Sequence, residues 1–357
     1  MKVLLIGEAS GVHRNLKIGL TALGVQCLHM VHNLRPQSRV SDASFAAVYP
    51  GVIGGIARNI MPFVTISKLG KYDVINFTNG ISSIIGRYTK YYDLPLLRSK
   101  TDMLSYYALS CDELGLIRRN NIVPYRPCAS CLASDHFSRD CEFEFNKQYE
   151  KNLEVAKQYF DFGASSAIEY DNASQAFPGK FSRIQFPIDT QNIKFRPATA
   201  GKLVNIVHTP TKRGFKGTDV VIEAIRLLRS RRSDFHFEIV EGLNYDEYLD
   251  RVARADIIID QVHSQSPGIN ALEMMAAGKI VLTGATNLGK SYFDFTHELP
   301  AIDAPPNSND LAEVLVEALE TRTHFPRLAE QGRDYVAKHH NVIKVADLFM
   351  SEWRARL

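Results

Sequence analysis

Four apolar runs in the second half of this chain constrain its fold more than any other feature. They are "LVNIVH" (203–208), "FHFEIV" (235–240), "DIIID" (256–260) and "KIVLTG" (279–284). Each precedes a segment with helical spacing: "TDVVIEAIRLLRSRR", "NYDEYLDRVARA", "PGINALEMMAAG" and "DLAEVLVEALE". Runs apolar at successive positions are buried on both faces, and strands that alternate with helices build parallel sheets from βαβ units. Thr218 is placed to cap the first of these helices.

The first half alternates in the same way. "KVLLIG" (2–7) reads as a strand, and "RNLKIGLTALG" as a helix with Leu16, Leu20 and Leu23 on one face and Gly24 as its stop. "VQCLHMV", "YDVINFTNG" and "MLSYYALSCD" supply further buried runs, and "KQYEKNLEVAKQYFDF" (147–162) an amphipathic helix. "SAIEY" and "FSRIQFPID" complete the series. The chain has 357 residues, 45% of them hydrophobic and 23% charged, enough for two cores. The expectation is an α/β protein of two Rossmann-like, doubly wound domains, 1–190 and 191–340, joined between Pro187 and Pro197. A terminal helix in 341–357 would pack back on the first domain.

Several function classes drop out. A net charge of +3 gives no reason to expect nucleic acid as a partner. The apolar run after Met1 is short, and no stretch nears the roughly 18 apolar residues of a membrane-crossing helix. A cytoplasmic protein with reduced cysteines is expected. The first loop, "GEASGVH", lacks Gly-x-Gly-x-x-Gly, which argues against an ordinary nicotinamide enzyme.

Two segments of the second half carry chemistry. "TPTKRGFKGTD" (209–219) follows a strand and sets Lys212, Arg213 and Lys216 among glycines, a setting suited to a diphosphate. A solvated basic turn is the plain alternative. In "SQSPGINALEMMAAGKIVL" (264–282), a helix begins on Gly268, Ile269 and Asn270, whose amides lack intrahelical acceptors. Glu273 lies further along it, where a carboxylate can accept from two adjacent hydroxyls such as those of a ribose. Pairing with a basic neighbour is the plain alternative.

In order, "HTPTKRGFKGTD", "IVEGLNYDEYLDRVARADIIIDQV" and "PGINALEMMAAGKIVL" resemble the donor domain of GT-B-fold glycosyltransferases, closest to the retaining family 4. The resemblance spans roughly Val204 to Leu282 and is weaker in the first half. It implies transfer of a sugar from a UDP- or GDP-type donor to a glycan or lipid-linked glycan, with retention, in polysaccharide or glycoconjugate synthesis. Arg213 and Lys216 match the pair that neutralises the leaving diphosphate, and Glu273 the ribose carboxylate. Gly268, Ile269 and Asn270 match the amides at sugar and diphosphate, and Glu241 the loop lining the base pocket. Gly11 and His13 match the first-domain loop that meets the donor, and Cys111-Asp112 a Gly-Ser-Asp element, which makes Asp112 a catalytic candidate. Gln265 stands where the family's motif places its first glutamate, a contact to the donor sugar. Asn76 and Thr78 stand on the strand that ends in histidines in relatives. The chain carries no Asp-x-Asp, so no divalent metal or other cofactor is expected beyond the nucleotide sugar.

Cys111, Cys128, Cys131 and Cys141 could together hold a structural zinc, with unlinked thiols as the alternative. Tyr88, Tyr91, Tyr92, Tyr106 and Tyr107 mix with Arg98, Lys100, Arg118 and Arg119 in a segment suited either to an anionic membrane surface or to the core. The competing function class is a GT-B-shaped binding or scaffold subunit that has lost turnover, marked by Gln265. Epimerase and phosphorylase readings find no matching residues.

Overall fold

The computed structural model describes residues 1–32, 41–45, 51–84, 90–109, 114–116, 120, 122–124, 128, 131, 148–243, 245–293 and 298–357. Two parallel sheets organise them. The first has seven strands: β1 (Lys2–Ile6), β2 (Gln26–Val31), β3 (Ala43–Ser44), β4 (Tyr72–Thr78), β5 (Thr101–Ala108), β6 (Phe162–Ser165) and β7 (Phe181–Arg183). Their order is β3-β2-β1-β4-β5-β6-β7. The second has five: β8 (Val204–His208), β9 (Phe235–Ile239), β10 (Ile257–Ile259), β11 (Ile280–Thr283) and β12 (Ile302–Asp303), in the order β12-β11-β10-β8-β9.

The apolar runs sit where their chemistry requires. Val3 to Ile6 of β1 and Ile257 to Ile259 of β10 have no measurable exposure, being central strands covered on both faces. In each sheet the strand order reverses at one place, between β1 and β4 and between β8 and β10. Open α/β sheets bind ligands at such switch points, beyond the carboxyl ends of the strands.

The chain leaves the first sheet through Phe186–Asp189, where the Ile188 amide donates to the His340 carbonyl at 2.7 Å. The helix Val342–Arg354 then lies on the first half. Gly19 of the helix Val12–Ala22 lets it approach, since a Cβ there would sit 2.1 Å from the Val342 carbonyl oxygen. Trp353 is fully buried and donates to Ser105 Oγ at 3.2 Å.

Three local expectations are corrected. Thr218 does not cap its helix: Gly217 holds the N-cap position at φ 72°, and the Thr218 hydroxyl bonds His208 Nε2 at 2.9 Å. The helix expected over 147–162 ends at Tyr159, and Phe162 begins β6. Tyr91, Tyr106 and Tyr107 are core residues, so the basic-aromatic segment is no continuous surface patch. Tyr88, Arg118 and Arg119 lie outside the described residues.

Candidate active site between the two sheets

The second switch point gathers the residues singled out in the sequence. After β8 the chain makes a short helix, Arg213–Lys216, and turns at Gly217. That glycine is required twice over. Its φ is left-handed, and a Cβ would meet Val262 Cγ2 at 2.2 Å and the His263 ring at 2.9 Å. The turn thereby brings the basic loop against the loop that follows β10. Lys216 is buried and donates from Nζ to Asp260 Oδ1 at 2.8 Å and to Gln261 Oε1 at 3.1 Å. Asp260 is fully buried, and its Oδ1 also accepts from Asn270 Nδ2 at 2.9 Å. The same Asn270 nitrogen reaches Thr209 Oγ1 at 3.0 Å, and Tyr248 donates to Asn270 Oδ1 at 2.6 Å. One carboxylate therefore fixes the buried cation and the start of the next helix relative to each other.

That helix runs Ile269–Ala276, with Gly268 as its N-cap and no side chain capping it. Its first amides carry the positive end of the helix dipole beside Lys216, a combination that favours an anion. Arg213 lies further out and forms a two-pronged ion pair with Glu241 in the loop after β9, with Nε 3.0 Å from Oε2. Glu273 is one turn beyond Asn270 on the helix. It is buried, and it lines a cavity of about 570 Å³ with Tyr248, Met274, Asp189 and, from the first half, Arg14 and Asn15. Both halves thus wall the space that Glu273 faces.

The first switch point is built differently. Gly7 and Gly11 hold left-handed backbone at φ 88° and 83°, and a Cβ on Gly7 would lie 2.4 Å from the Thr78 carbonyl oxygen. His13 is fully buried. Its Nδ1 donates to the Gly7 carbonyl at 2.9 Å, and its Nε2 accepts from Asn76 Nδ2 at 3.0 Å. His29 reaches the same carbonyl from Nε2 at 3.0 Å and packs edge-on against the His13 ring. Burial, with His29 adding to it, holds the His13 pKa well below the ordinary imidazole value. With both nitrogens engaged, a neutral His13 braces the loop and has no free lone pair with which to take a proton. His208, on β8, is neutral for the same reason: burial lowers its pKa to about 4, and its Nδ1 donates to the Ile259 carbonyl at 2.7 Å.

The remaining expectations fall as follows. Gln265 is almost fully buried, with its Oε1 accepting from Thr286 Oγ1 at 2.9 Å. Asp112, Cys111 and Cys141 lie outside the described residues. Cys128 and Cys131 form no disulfide, and among the described residues no group of three or more His, Cys, Asp or Glu is placed to hold a metal. No described helix is long and apolar enough to cross a membrane. Sequence reasoning missed Asp260, Tyr248 and Glu169. Asp260 was within reach, because an acid directly after a buried triple-isoleucine strand sits at a sheet's carboxyl edge. Tyr248 and Glu169 act through contacts between distant segments and leave no local signal.

Residues 220–351 match a family model described as glycosyl transferase-like. No curated protein matches the chain. Among solved structures, a sucrose-phosphate synthase from Thermosynechococcus elongatus superposes with a TM-score of 0.66 at 14% identity, covering 99% of this chain and 98% of that one. HepE of Anabaena, in complex with UDP and glucose, gives 0.62 at 14% identity over 99% and 100%. An E. coli trehalose-6-phosphate protein bound with UDP-2-fluoro glucose gives 0.63 at 11% identity over the full length of both. The chain has the GT-B fold of these proteins.

Proposed function

We propose that the chain is a nucleotide-sugar-dependent glycosyltransferase. It moves a hexosyl or related sugar from a UDP- or GDP-type donor to a glycan or lipid-linked glycan, in cell-surface polysaccharide or glycoconjugate synthesis. Residues 191–340 take the donor and 1–190 the acceptor. The observation that carries this reading is the meeting, at one switch point, of an uncapped helix start, the Lys216–Asp260–Asn270 bridge and the buried Glu273. The match of residues 220–351 to a glycosyl transferase-like family supports it, as do GT-B neighbours described with UDP and UDP-sugars.

In this reading the diphosphate rests on the amides of Gly268 to Asn270, with Lys216 and Arg213 countering its charge, and Glu273 accepts from the ribose hydroxyls. Glu241 sits beside the base. The bond from the anomeric carbon to the diphosphate oxygen breaks, and its electron pair leaves with the diphosphate. The acceptor oxygen bonds on the same face of the sugar, so configuration is retained, and its proton passes to the departing phosphate oxygen. Preorganised cations and amides stabilise the charge that develops on the leaving group, which is the task a metal performs elsewhere. Exposed Arg213 exchanges Glu241 for the diphosphate at small cost, because solvent-accessible ion pairs contribute about 0–1 kcal/mol.

Peripheral contact with an anionic membrane belongs to the same proposal, supported by the helix Gly51–Lys68 rather than by the tyrosines. Val52, Ile53, Ile56, Ile60 and Val64 are exposed on one arc of it, from 80% to 48%. Between residues 44 and 72 the chain carries Arg58, Lys68 and Lys71 and no acidic residue.

Calorimetric titration of UDP, GDP, ADP and CDP and their sugars into wild type and Arg213→Ala tests the reading. One nucleotide that binds wild type and binds the variant about tenfold more weakly is expected, with transfer or hydrolysis of its sugar. The scaffold reading gains from the pairing of both cations with carboxylates, and no binding of any nucleotide would establish it instead.

A further inference from the structure

Glu169 belongs to the first half, in a short turn, Ile168–Tyr170, just beyond the carboxyl end of β6. It is 2% exposed. Its Oε1 crosses to the second half and accepts from the Gln265 amide at 2.6 Å, the Ser266 amide at 3.0 Å and the Ser264 hydroxyl. These three residues lead directly into Pro267 and the uncapped helix start at Gly268. The loop is pinned from behind as well. A Cβ on Gly284 would lie 2.3 Å from the Ser264 carbonyl oxygen, and one on Gly289 would lie 1.9 Å from that of Gln265.

Three buried polar atoms on residues joined by this bridge have no partner: Glu169 Oε2, Gln265 Nε2 and Ser266 Oγ. Buried polar groups without partners are rare and costly, so three of them on the residues of one bridge point to a ligand. Their chemistry is complementary. One is a carboxylate acceptor, one an amide donor and one a hydroxyl that both donates and accepts. A polyhydroxylated ring, whose hydroxyls both donate and accept, satisfies such a set. The helix start beside them is the proposed seat of the diphosphate, to which a donor's sugar is attached.

We propose that Glu169 is a specificity-determining residue for the glycosyl group of the donor, supplying from the opposite half the carboxylate that is absent at position 265. The inference rests on the nucleotide-sugar reading and sharpens it. The carboxylate reaches the loop only when the two halves are closed on each other. Sugar recognition is thereby coupled to closure, while the side chains and amides assigned to the diphosphate belong to the second half.

The test titrates UDP, UDP-glucose, GDP and GDP-mannose into wild type, Glu169→Gln and Glu169→Ala, with a melting curve for each protein. Wild type is expected to bind one nucleotide sugar more tightly than its nucleoside diphosphate. Glu169→Ala should weaken the nucleotide sugar about 10- to 100-fold, the range for hydrogen bonds to a charged group, and the nucleoside diphosphate less than about twofold. Glu169→Gln, of the same shape, should fall between the two and keep the melting temperature. Equal losses for diphosphate and sugar forms, or none for either, would overturn the assignment of Glu169 and leave the nucleotide reading standing. A wild type that binds none of the four probes would overturn both.

Discussion

The two switch points use the same backbone device for different ends. At each, a glycine with left-handed backbone turns the chain after a central strand, and a buried neutral histidine ties neighbouring segments together. At the first, His13 joins the Gly7 carbonyl to Asn76. At the second, His208 joins the Ile259 carbonyl to Thr218. Beyond this they diverge. Around His13 both ring nitrogens are consumed by loop and strand. Around His208 a buried ion pair, Lys216 with Asp260, lies beside a helix start that no side chain caps. A satisfied switch point builds the frame, and one that retains charge and uncapped amides can bind. The difference teaches that position at a sheet edge is not sufficient evidence for a site, and that the state of its polar groups must be known as well.

The largest test of this contrast is Lys216→Ala. Removing one partner of a buried pair strands the other, at about 3–5 kcal/mol. Urea titration should record a loss of that order, and Lys216→Ala with Asp260→Ala should recover part of it. A stable single variant would mean that Asp260 is reached by water, and the second switch point would lose its claim to a buried charge.

Next comes the pair Glu273→Ala and His13→Asn. If the second site binds and the first builds, Glu273→Ala should weaken the nucleotide about 10- to 100-fold and leave folding little changed. His13→Asn should reverse the pattern, lowering stability by about 1–3 kcal/mol through the hydrogen bonds it disturbs and sparing nucleotide affinity. Isothermal titration and thermal melting on both proteins read the crossing directly. Parallel losses in both variants would erase the distinction between the two loops.

Much of the frame was legible because period and composition speak locally. The continuous runs of β1, β8 and β10 required strands covered on both faces. Arg213, Lys216, Gly268 and Glu273 could be singled out because each lies on a loop or helix next to a strand that the pattern located. What sequence could not show is how side chains are divided among competing partners. Thr218 has every local qualification for an N-cap, yet His208 takes its hydroxyl, because a buried imidazole without a partner would cost more than an uncapped helix end. His13 carried the right residue type in the right loop, and only the placement of Asn76, 63 residues away, reveals that its second nitrogen is occupied. Glu169 lies 96 residues from the amide of Gln265 and carries no motif, so only closure of the chain brings them together.

Acid should expose two of the buried histidines. Burial lowers the pKa of His208 and of His340, at the connection between halves, to about 4. The unfolded chain takes up these protons near pH 6.5. Stability from keeping them neutral is therefore complete above that value and is lost as the pH falls toward 4, where the folded protein also protonates. At pH 5.5 each should cost about 1.4 kcal/mol. His340→Asn should flatten the fall in melting temperature between pH 7 and 5.5 relative to wild type. An unchanged slope would place the acid response elsewhere.

The smallest effect is the most discriminating, because it concerns a pair that looks like the buried one and should behave unlike it. Arg213 and Glu241 meet with two-pronged geometry, yet about a third of each side chain stays in water. A double-mutant cycle on folding should return less than about 1 kcal/mol of coupling, against several for Lys216 and Asp260. High salt should erase the exposed coupling and leave the buried one. If Arg213 proved as strongly coupled as Lys216, it could not exchange Glu241 for a diphosphate. The second switch point would then be closed to an anion as firmly as His13 closes the first to a proton.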